Sequence, residues 1–366
     1  MLRVAQIMGQ MNGGGVEAAV MNYYRHIDRT RVQFDLIVDS DSTMIPREEI
    51  ESLGGKVLLV PPLKDLRAYR MALGELFAHE AWPIVHSHRN TLSVFPLQVA
   101  KASGIPIRIA HSHSTSGRGE HAKNAVKFVL KQFANIYPTN RLACSEYAGR
   151  WLYGKKAKFD VMYNAIELDR FSHSVESRIQ IRTELGISDK ALVVGHVGRF
   201  MPQKNHLFLL KAFERLAQIR GDAILLLAGD GEQKGDAEKW VHDHGLSTRV
   251  RFLGQRNDMQ RLYSGFDVFA LPSLYEGLCL VGIEALHAGL PCFLSDTITR
   301  EIDLTGTVRF LPIANYNTWA DELAQIHPGE RLSVNDNDFE RYDINKASYW
   351  LLDYYERLYD AENQRG

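Results

Sequence analysis

The feature that constrains this chain most is a rhythm that runs twice. Short apolar runs of strand length alternate with amphipathic stretches of helix length, first between residues 4 and 110 and again between residues 191 and 294. Apolar runs of about four to eight residues bounded by Gly or polar turns suit strands buried on both faces. Strands that alternate with helices imply βαβ crossovers and a parallel, doubly wound sheet. The first pass places strands at Val4–Met8, Phe34–Val38, Lys56–Val60, Ile84–His86 and Ile107–Ala110, with helices at Val16–His26, Arg67–His79 and Leu92–Ala102. The second places strands at Ala191–Val197, Ala223–Ala228, Val250–Leu253, Val268–Leu271 and Pro291–Leu294, with helices at Leu207–Arg220, Lys234–His244, Met259–Gly265 and Leu280–Ala288. The expected fold is therefore α/β, with two doubly wound Rossmann-like domains facing across a cleft. The expected boundaries are 1–167 and 168–345, followed by a Tyr-rich C-terminal helix in 346–366 that crosses back to the first domain. A length of 366 residues fits two domains at roughly 100–200 residues each.

Ligands of open α/β sheets bind at the carboxyl ends of the strands, so the chemistry should follow the strands. After Ala191–Val197 comes Gly198-Arg199-Phe200-Met201-Pro202-Gln203-Lys204-Asn205. Arg199 and Lys204 put two cations there, a fork and a mobile point charge suited to phosphate oxygens. After Val268–Leu271 comes Pro272-Ser273-Leu274-Tyr275-Glu276-Gly277-Leu278-Cys279, then a helix carrying Glu284. Gly277 permits close backbone approach, and free N–H groups at the helix start can bind an anion. Glu284 interrupts the apolar stripe of Leu280, Val281, Ile283 and Leu286, where a carboxylate is costly unless it is paired. A sugar hydroxyl is a fitting partner. Without its neighbours, the Glu pair reads first as a capping Glu276 and a structurally paired Glu284; with Arg199, Lys204 and the Gly-rich turn, it reads as functional.

These motifs resemble the GT-B glycosyltransferases of glycosyltransferase family 4, the retaining group that includes many bacterial capsule and exopolysaccharide enzymes. GRFMPQKN is similar to the family's Gly-Arg…Lys-Asn loop, and PSLYEGLCLVGIEALHAGLP to its Glu-x7-Glu stretch. The resemblance implies that Arg199 and Lys204 contact a donor diphosphate, and that Gly277 and Leu278 present backbone N–H groups. It implies further that Glu276 binds sugar hydroxyls, Glu284 binds the ribose, and the loop around Arg256 lies against the base.

In the first half, Gly13-Gly14-Gly15 lacks the spacing of a dinucleotide fingerprint or a Walker A loop. The resemblance places Gly14 and Gly15 against the donor and acceptor. Histidines end two strands, at His86-Ser87-His88 and His111-Ser112-His113. The family carries a histidine that contacts the transferred sugar. His111 and His113 are both candidates, with His113 preferred. No third carboxylate or cysteine ligand is fixed by spacing, so no metal is expected. Asp39-Ser40-Asp41 and Asp336-Asn337-Asp338 match a metal-binding DxD but read as turns.

The expected function is transfer, with retention, of a hexose or N-acetylhexosamine from a nucleotide-sugar, UDP-linked on family grounds, to a hydroxyl of a glycan or lipid-linked acceptor in polysaccharide biosynthesis. The enzyme is expected to be metal-independent and to need no cofactor. The rivals are an epimerase or hydrolase of the same fold and a non-catalytic sugar-binding subunit. Lys+Arg 43 against Asp+Glu 44 argues against a nucleic-acid binder. Three scattered cysteines support neither a disulfide framework nor a zinc module, and no apolar run is long enough to span a bilayer. A cytoplasmic location follows as an expectation. Charge is nevertheless uneven. Residues 118–158 hold nine Lys/Arg and two acidic residues. Within them, Ala122–Tyr137 reads as a helix with Lys123, Lys127 and Lys131 beside an apolar stripe of Val126, Val129, Leu130, Phe133 and Tyr137. That stripe belongs either in the core or on an anionic membrane at the inner face of the cell membrane.

Overall fold

The computed structural model of the protein describes residues 1–113, 121–276 and 279–364. The chain divides into two compact units, Met1–Ile166 with Arg341–Gly366, and Glu167–Glu340. Among the described residues the first holds seven strands: β1 (Leu2–Gly9), β2 (Val32–Asp39), β3 (Lys56–Val60), β4 (Ile84–Ser87), β5 (Ile107–Ser112), β6 (Asn140–Ala143) and β7 (Asp160–Val161). They lie in the order β3-β2-β1-β4-β5-β6-β7, and every pairing is parallel. The second holds β8 (Val193–Val197), β9 (Ile224–Ala228), β10 (Val250–Gly254), β11 (Val268–Leu271), β12 (Cys292–Ser295) and β13 (Arg309–Leu311). Their order is β10-β9-β8-β11-β12-β13, again all parallel. Each sheet thus reverses its winding once, between β1 and β4 and between β8 and β11.

The cores follow the strand period of two. Along β1, Val4 and Met8 face one hydrophobic cluster with Phe34 and Tyr355. Ala5 and Ile7 face another with Val85 and Leu97. Both faces are covered, which is why the strands read as continuous apolar runs. In the second unit Val194, Leu225, Leu227 and Val268 pack against Leu209, Phe213 and Trp319. β11 is anchored at its start by Asp267, a fully buried carboxylate. It accepts from Arg178 at 2.8 Å, Arg182 at 2.6 Å, and the N–H groups of Val193 at 2.7 Å and Gly329 at 2.8 Å.

The structure departs from the sequence reading at two bounds, besides the elements that the reading left out. The return to the first unit begins at Arg341 rather than residue 346. There Ile166 N–H donates to Tyr342 O at 2.9 Å and Ile344 N–H to Ile166 O at 3.0 Å, binding the linker to the returning segment. The helix expected over 122–137 is His121–Lys131. Beyond it, Gln132, Phe133 and Ala134 donate three residues back, a tightening that ends a helix, and Pro138 restricts Tyr137 away from helical backbone. Most of the apolar stripe lies outside the core: Val126, Val129 and Phe133 are exposed, as are Phe128 and Ile136, while Leu130 is partly buried and Tyr137 packs against the core of the first unit.

Candidate active site

Two loops meet where β8 and β11 lie side by side, at the point where the second sheet reverses its winding. The loop after β8 turns through Pro202–Lys204 into Asn205, which adopts left-handed backbone at φ 57°. Asn205 Nδ2 donates to Pro272 O at 3.2 Å, and Leu274 N–H to Gln203 O at 2.8 Å. Gln203 Nε2 also donates to Tyr275 O at 2.9 Å and to Glu276 Oε2 at 3.2 Å. These bonds stitch the two loops together. Lys204 Nζ then donates to Glu276 Oε1 at 2.7 Å, with both side chains largely buried. Burial pulls the Lys204 pKa down, but Glu276 and Cys279 outweigh it and hold the ammonium above its ordinary range. Lys204 is therefore a fixed cation. Burial and Glu276 push the neighbouring Cys279 thiol up to about 12, against the opposing pull of Lys204. It stays protonated near neutrality and is no nucleophile.

Arg199 stands in the same loop. Its neighbour Phe200 is fully buried and stacked on His206 at 3.9 Å, and Phe200 N–H donates to Asp230 O at 2.9 Å. Arg199 itself is exposed, and its guanidinium has no hydrogen-bond or ion-pair partner among the described residues. Glycine makes the close stacking of these loops possible. A Cβ on Gly229, at φ +138°, would sit 2.1 Å from Gly198 O. Gly229 N–H donates to Gly254 O at 2.8 Å, so the carboxyl ends of β8, β9 and β10 form one continuous layer.

Glu284 lies on the helix Leu280–His287. The sequence reading offers it a ligand hydroxyl, yet one oxygen already has a protein partner: Tyr263 O–H donates to Oε2 at 2.7 Å. Desolvation raises its pKa to about 7, against the Tyr263 bond and the charge of Arg170. Arg256 is not brought into this group. Its guanidinium is forked onto Asp258 at 2.7 and 2.8 Å and onto Glu184 at 3.0 Å. Gly277 and Leu278 lie outside the described residues.

In the first unit, the winding reverses between β1 and β4, and the glycine loop and the histidines gather there. Glu17 caps the loop: Asn12 N–H donates to its Oε1 at 3.0 Å and Gly14 N–H to its Oε2. Gly14 therefore has its N–H committed to a carboxylate, whereas Gly15 has open space where a side chain would project. His86, His88, His111 and His113 form one buried cluster. His86 Nε2 lies 3.1 Å from His111 Nδ1, and His88 Nδ1 lies 2.9 Å from His113 Nε2. Burial keeps all four pKa values below the usual imidazole range, that of His113 at about 3. Both sequence candidates thus belong to one neutral group. His86, His88 and His111 could also group around a metal ion. Of the two DxD matches, Asp39 is held by Arg89 at 2.7 and 2.9 Å, and Asp336 lies 3.3 Å from His287.

Sequence reasoning did not find Gln203, Tyr263, Gln6 or Tyr355. Tyr263 and Tyr355 sit in helices among other aromatic residues, and only tertiary contact distinguishes them.

Two all-parallel, doubly wound sheets in one chain, with a paired cation and carboxylate at the switch point of the second, define the GT-B class of transferase. Residues 177–302 match the family described as Glycosyl transferases group 1. EpsF of Bacillus subtilis (strain 168), described as a glycosyltransferase, is 36% identical over 337 residues, covering 88% of this chain and 87% of that one. The UDP-Gal:alpha-D-GlcNAc-diphosphoundecaprenol alpha-1,3-galactosyltransferase of Escherichia coli is 30% identical over 245 residues, 64% of this chain and 62% of its own. HepE of Anabaena, solved in complex with UDP, shares the fold at a TM-score of 0.78 and 18% identity, covering 97% of this chain and 100% of that one. The chain belongs to the GT-B glycosyltransferases of family 4.

Proposed function

We propose that the protein is a retaining glycosyltransferase that moves a hexose or N-acetylhexosamine from a UDP-sugar to a hydroxyl of a glycan or lipid-linked acceptor, in polysaccharide biosynthesis. One observation carries the reading: a buried cation, Lys204, held by Glu276 at the switch point of the second sheet, in the same loop as Arg199, which has no partner among the described residues. This is where an α/β sheet binds its ligand, and two cations suit a diphosphate. HepE, solved with UDP and with UDP-glucose, supports the donor class. The Escherichia coli relative, whose name joins UDP-Gal to a GlcNAc-diphosphoundecaprenol, supports both donor and acceptor.

In the proposed reaction the bond from the anomeric carbon to the diphosphate oxygen breaks. The acceptor oxygen bonds to that carbon on the same face, and the acceptor proton passes to the departing diphosphate. Lys204 and Arg199 offset the charge that develops on the leaving group, the kind of preorganised electrostatic help that dominates many enzymatic rates. These residues take the role a metal would otherwise fill, so transfer should survive a chelator. Glu276 orients the sugar and holds Lys204; it is not cast as a nucleophile. Replacing Lys204 or Glu276 by Ala should each lower transfer by at least ~100-fold. Near-normal rates in both variants would refute the site.

The proposal includes work at the inner face of the cell membrane, and the basic segment supports it. Phe128 is 67% exposed, Val129 58% and Val126 55%, on a helix that also carries Lys127 and Lys131. Exposed apolar groups flanked by an excess of basic charge fit an anionic bilayer. No helix among the described residues is long and apolar enough to cross one.

A further inference from the structure

The four histidines of the first unit are joined by Gln6 and Tyr355 into one hydrogen-bonded circuit. Gln6 is paired across the sheet with His86, and Tyr355 comes from the returning helix Ile344–Asn363. Gln6 Oε1 lies 2.8 Å from His88 Nε2, and Gln6 Nε2 donates to the Tyr355 hydroxyl at 3.1 Å. That hydroxyl lies 2.7 Å from His86 Nδ1. Only two ring nitrogens of the four histidines have no partner among the described residues, His111 Nε2 and His113 Nδ1, and both atoms are buried, so they are open in hydrogen bonding and not to solvent.

A neutral imidazole carries one donor and one acceptor, so each proton can be traced. An amide oxygen only accepts, hence His88 Nε2 carries a proton and His88 Nδ1 is bare. His113 Nε2 must then donate to it, which leaves His113 Nδ1 a bare acceptor. On the other arm, the Tyr355 oxygen accepts from Gln6. Its own proton has no other acceptor among the described residues and goes to His86 Nδ1. His86 Nε2 donates to His111 Nδ1, so His111 keeps its proton on Nε2, an open donor. Every bond runs in one direction. Turning the Gln6 amide over reverses all of them, and the two open ends exchange roles.

We propose that Gln6 and Tyr355 are positioning residues that set the tautomers of His111 and His113, so that one open nitrogen donates whenever the other accepts. The consequence for substrate choice rests on the glycosyl-transfer reading. A ligand hydroxyl both donates and accepts, so it is served by either direction of the circuit. A carboxylate or phosphate only accepts, and it meets a bare lone pair at one end in either direction. The cluster therefore favours neutral, hydroxyl-bearing groups of sugar or acceptor over anionic ones.

The test is nitrogen NMR of the full chain with 15N-labelled histidine, which reads which ring nitrogen is protonated. In the free protein at neutral pH, His111 Nε2 and His113 Nδ1 should have opposite protonation. Tyr355→Phe should redistribute the tautomers of His86 and His111, and Gln6→Met those of His88 and His113. Both open nitrogens protonated, both bare, or tautomers unmoved in both variants would overturn the proposal. So would stoichiometric Zn2+ binding that removes the N–H signals of His86, His88 and His111, because the cluster would then be a metal site. If a variant does not fold, the wild-type spectrum still decides. In transfer assays both variants should lose at least tenfold in kcat/KM, while the Kd for UDP, which lacks the sugar, holds. The spectra need no turnover, so an inactive protein with coupled tautomers would refute the transfer reading and leave the circuit intact.

Discussion

Glu284 should make the free protein less stable near neutral pH, and replacing it should reveal by how much. Its carboxyl is raised from the ordinary 4.5 to about 7 by desolvation. The folded state therefore holds this proton more tightly than the unfolded chain does. Stability from this group is fully present below about pH 4.5 and is lost as pH rises through 7. Above both values the shift corresponds to ~3 kcal/mol against the ionised form, at 1.36 kcal/mol per pH unit. Glu284→Gln keeps the size and still accepts from Tyr263 through its amide oxygen, but it cannot ionise. Urea unfolding at pH 8.5 should show the second unit stabilised by up to ~3 kcal/mol in the variant, and the gain should vanish by pH 4.5. Each unit needs its own transition, because two units need not unfold in one step. A variant no more stable than the parent at pH 8.5, or equally stabilised at pH 4.5, would refute the electrostatic argument. The proposed ribose contact adds a second readout. A charge-assisted hydrogen bond is worth about 1.5–3 kcal/mol, so the stabilised variant should bind the nucleotide-sugar at least tenfold more weakly. That would appear as a smaller thermal shift at fixed ligand. Undiminished donor binding would remove Glu284 from the site while leaving its burden on the fold intact.

Asp267→Ala should cost roughly 3–5 kcal/mol, because Arg178 and the fully buried Arg182 lose their shared carboxylate; chemical denaturation of the second unit measures it. Gly229→Ala should weaken donor binding, since its Cβ would drive into Gly198 O from 2.1 Å and displace the loop that carries Arg199; calorimetric titration with UDP checks this against the parent. Vesicles containing anionic lipid should sediment the protein and neutral vesicles should not, and Phe128→Asp should abolish the difference. Equal sedimentation on both lipids, or none on either, would refute the membrane surface.

The strands that were legible were those buried on both faces. β1, β8, β9 and β11 have almost every residue inside, and burial writes itself as an unbroken apolar run. The strands that were missed lie toward the sheet edges. β6 opens with Asn140-Arg141, β7 is two residues long, and β13 begins with the exposed Arg309. The helix Val175–Glu184 escaped because it buries little more than Ile181 and Arg182, and that arginine is satisfied by Asp267. The site divides in the same way. Lys204 and Glu276 were visible because a charge just after a core strand has few structural uses. Gln203, which stitches the two loops, looks like any polar loop residue. The ion pair of Arg256 could not be read locally, because its partner Glu184 lies 72 residues away in the chain. Tyr355 lies 349 residues from Gln6, and no local pattern could have joined them.

The two switch points differ in charge, and that difference bears on how the work is divided. In the second unit a buried ammonium is kept ionised by Glu276, with the exposed Arg199 in the same loop. Such a site favours an anion, and the diphosphate of a nucleotide-sugar brings one. In the first unit the histidines are held neutral by burial, and the glycine loop donates to Glu17. A carboxylate at that loop repels a second anion, and neutral imidazoles offer hydrogen bonds without charge. The chemistry there suits hydroxyls. A protein that had to bind two anionic ligands would leave unpaired cations at both switch points. The Arg89 side chain is buried at the first, but its guanidinium is forked onto Asp39, whereas at the second Arg199 is exposed and has no partner among the described residues, as expected of an enzyme whose donor is charged and whose reacting acceptor group is an alcohol.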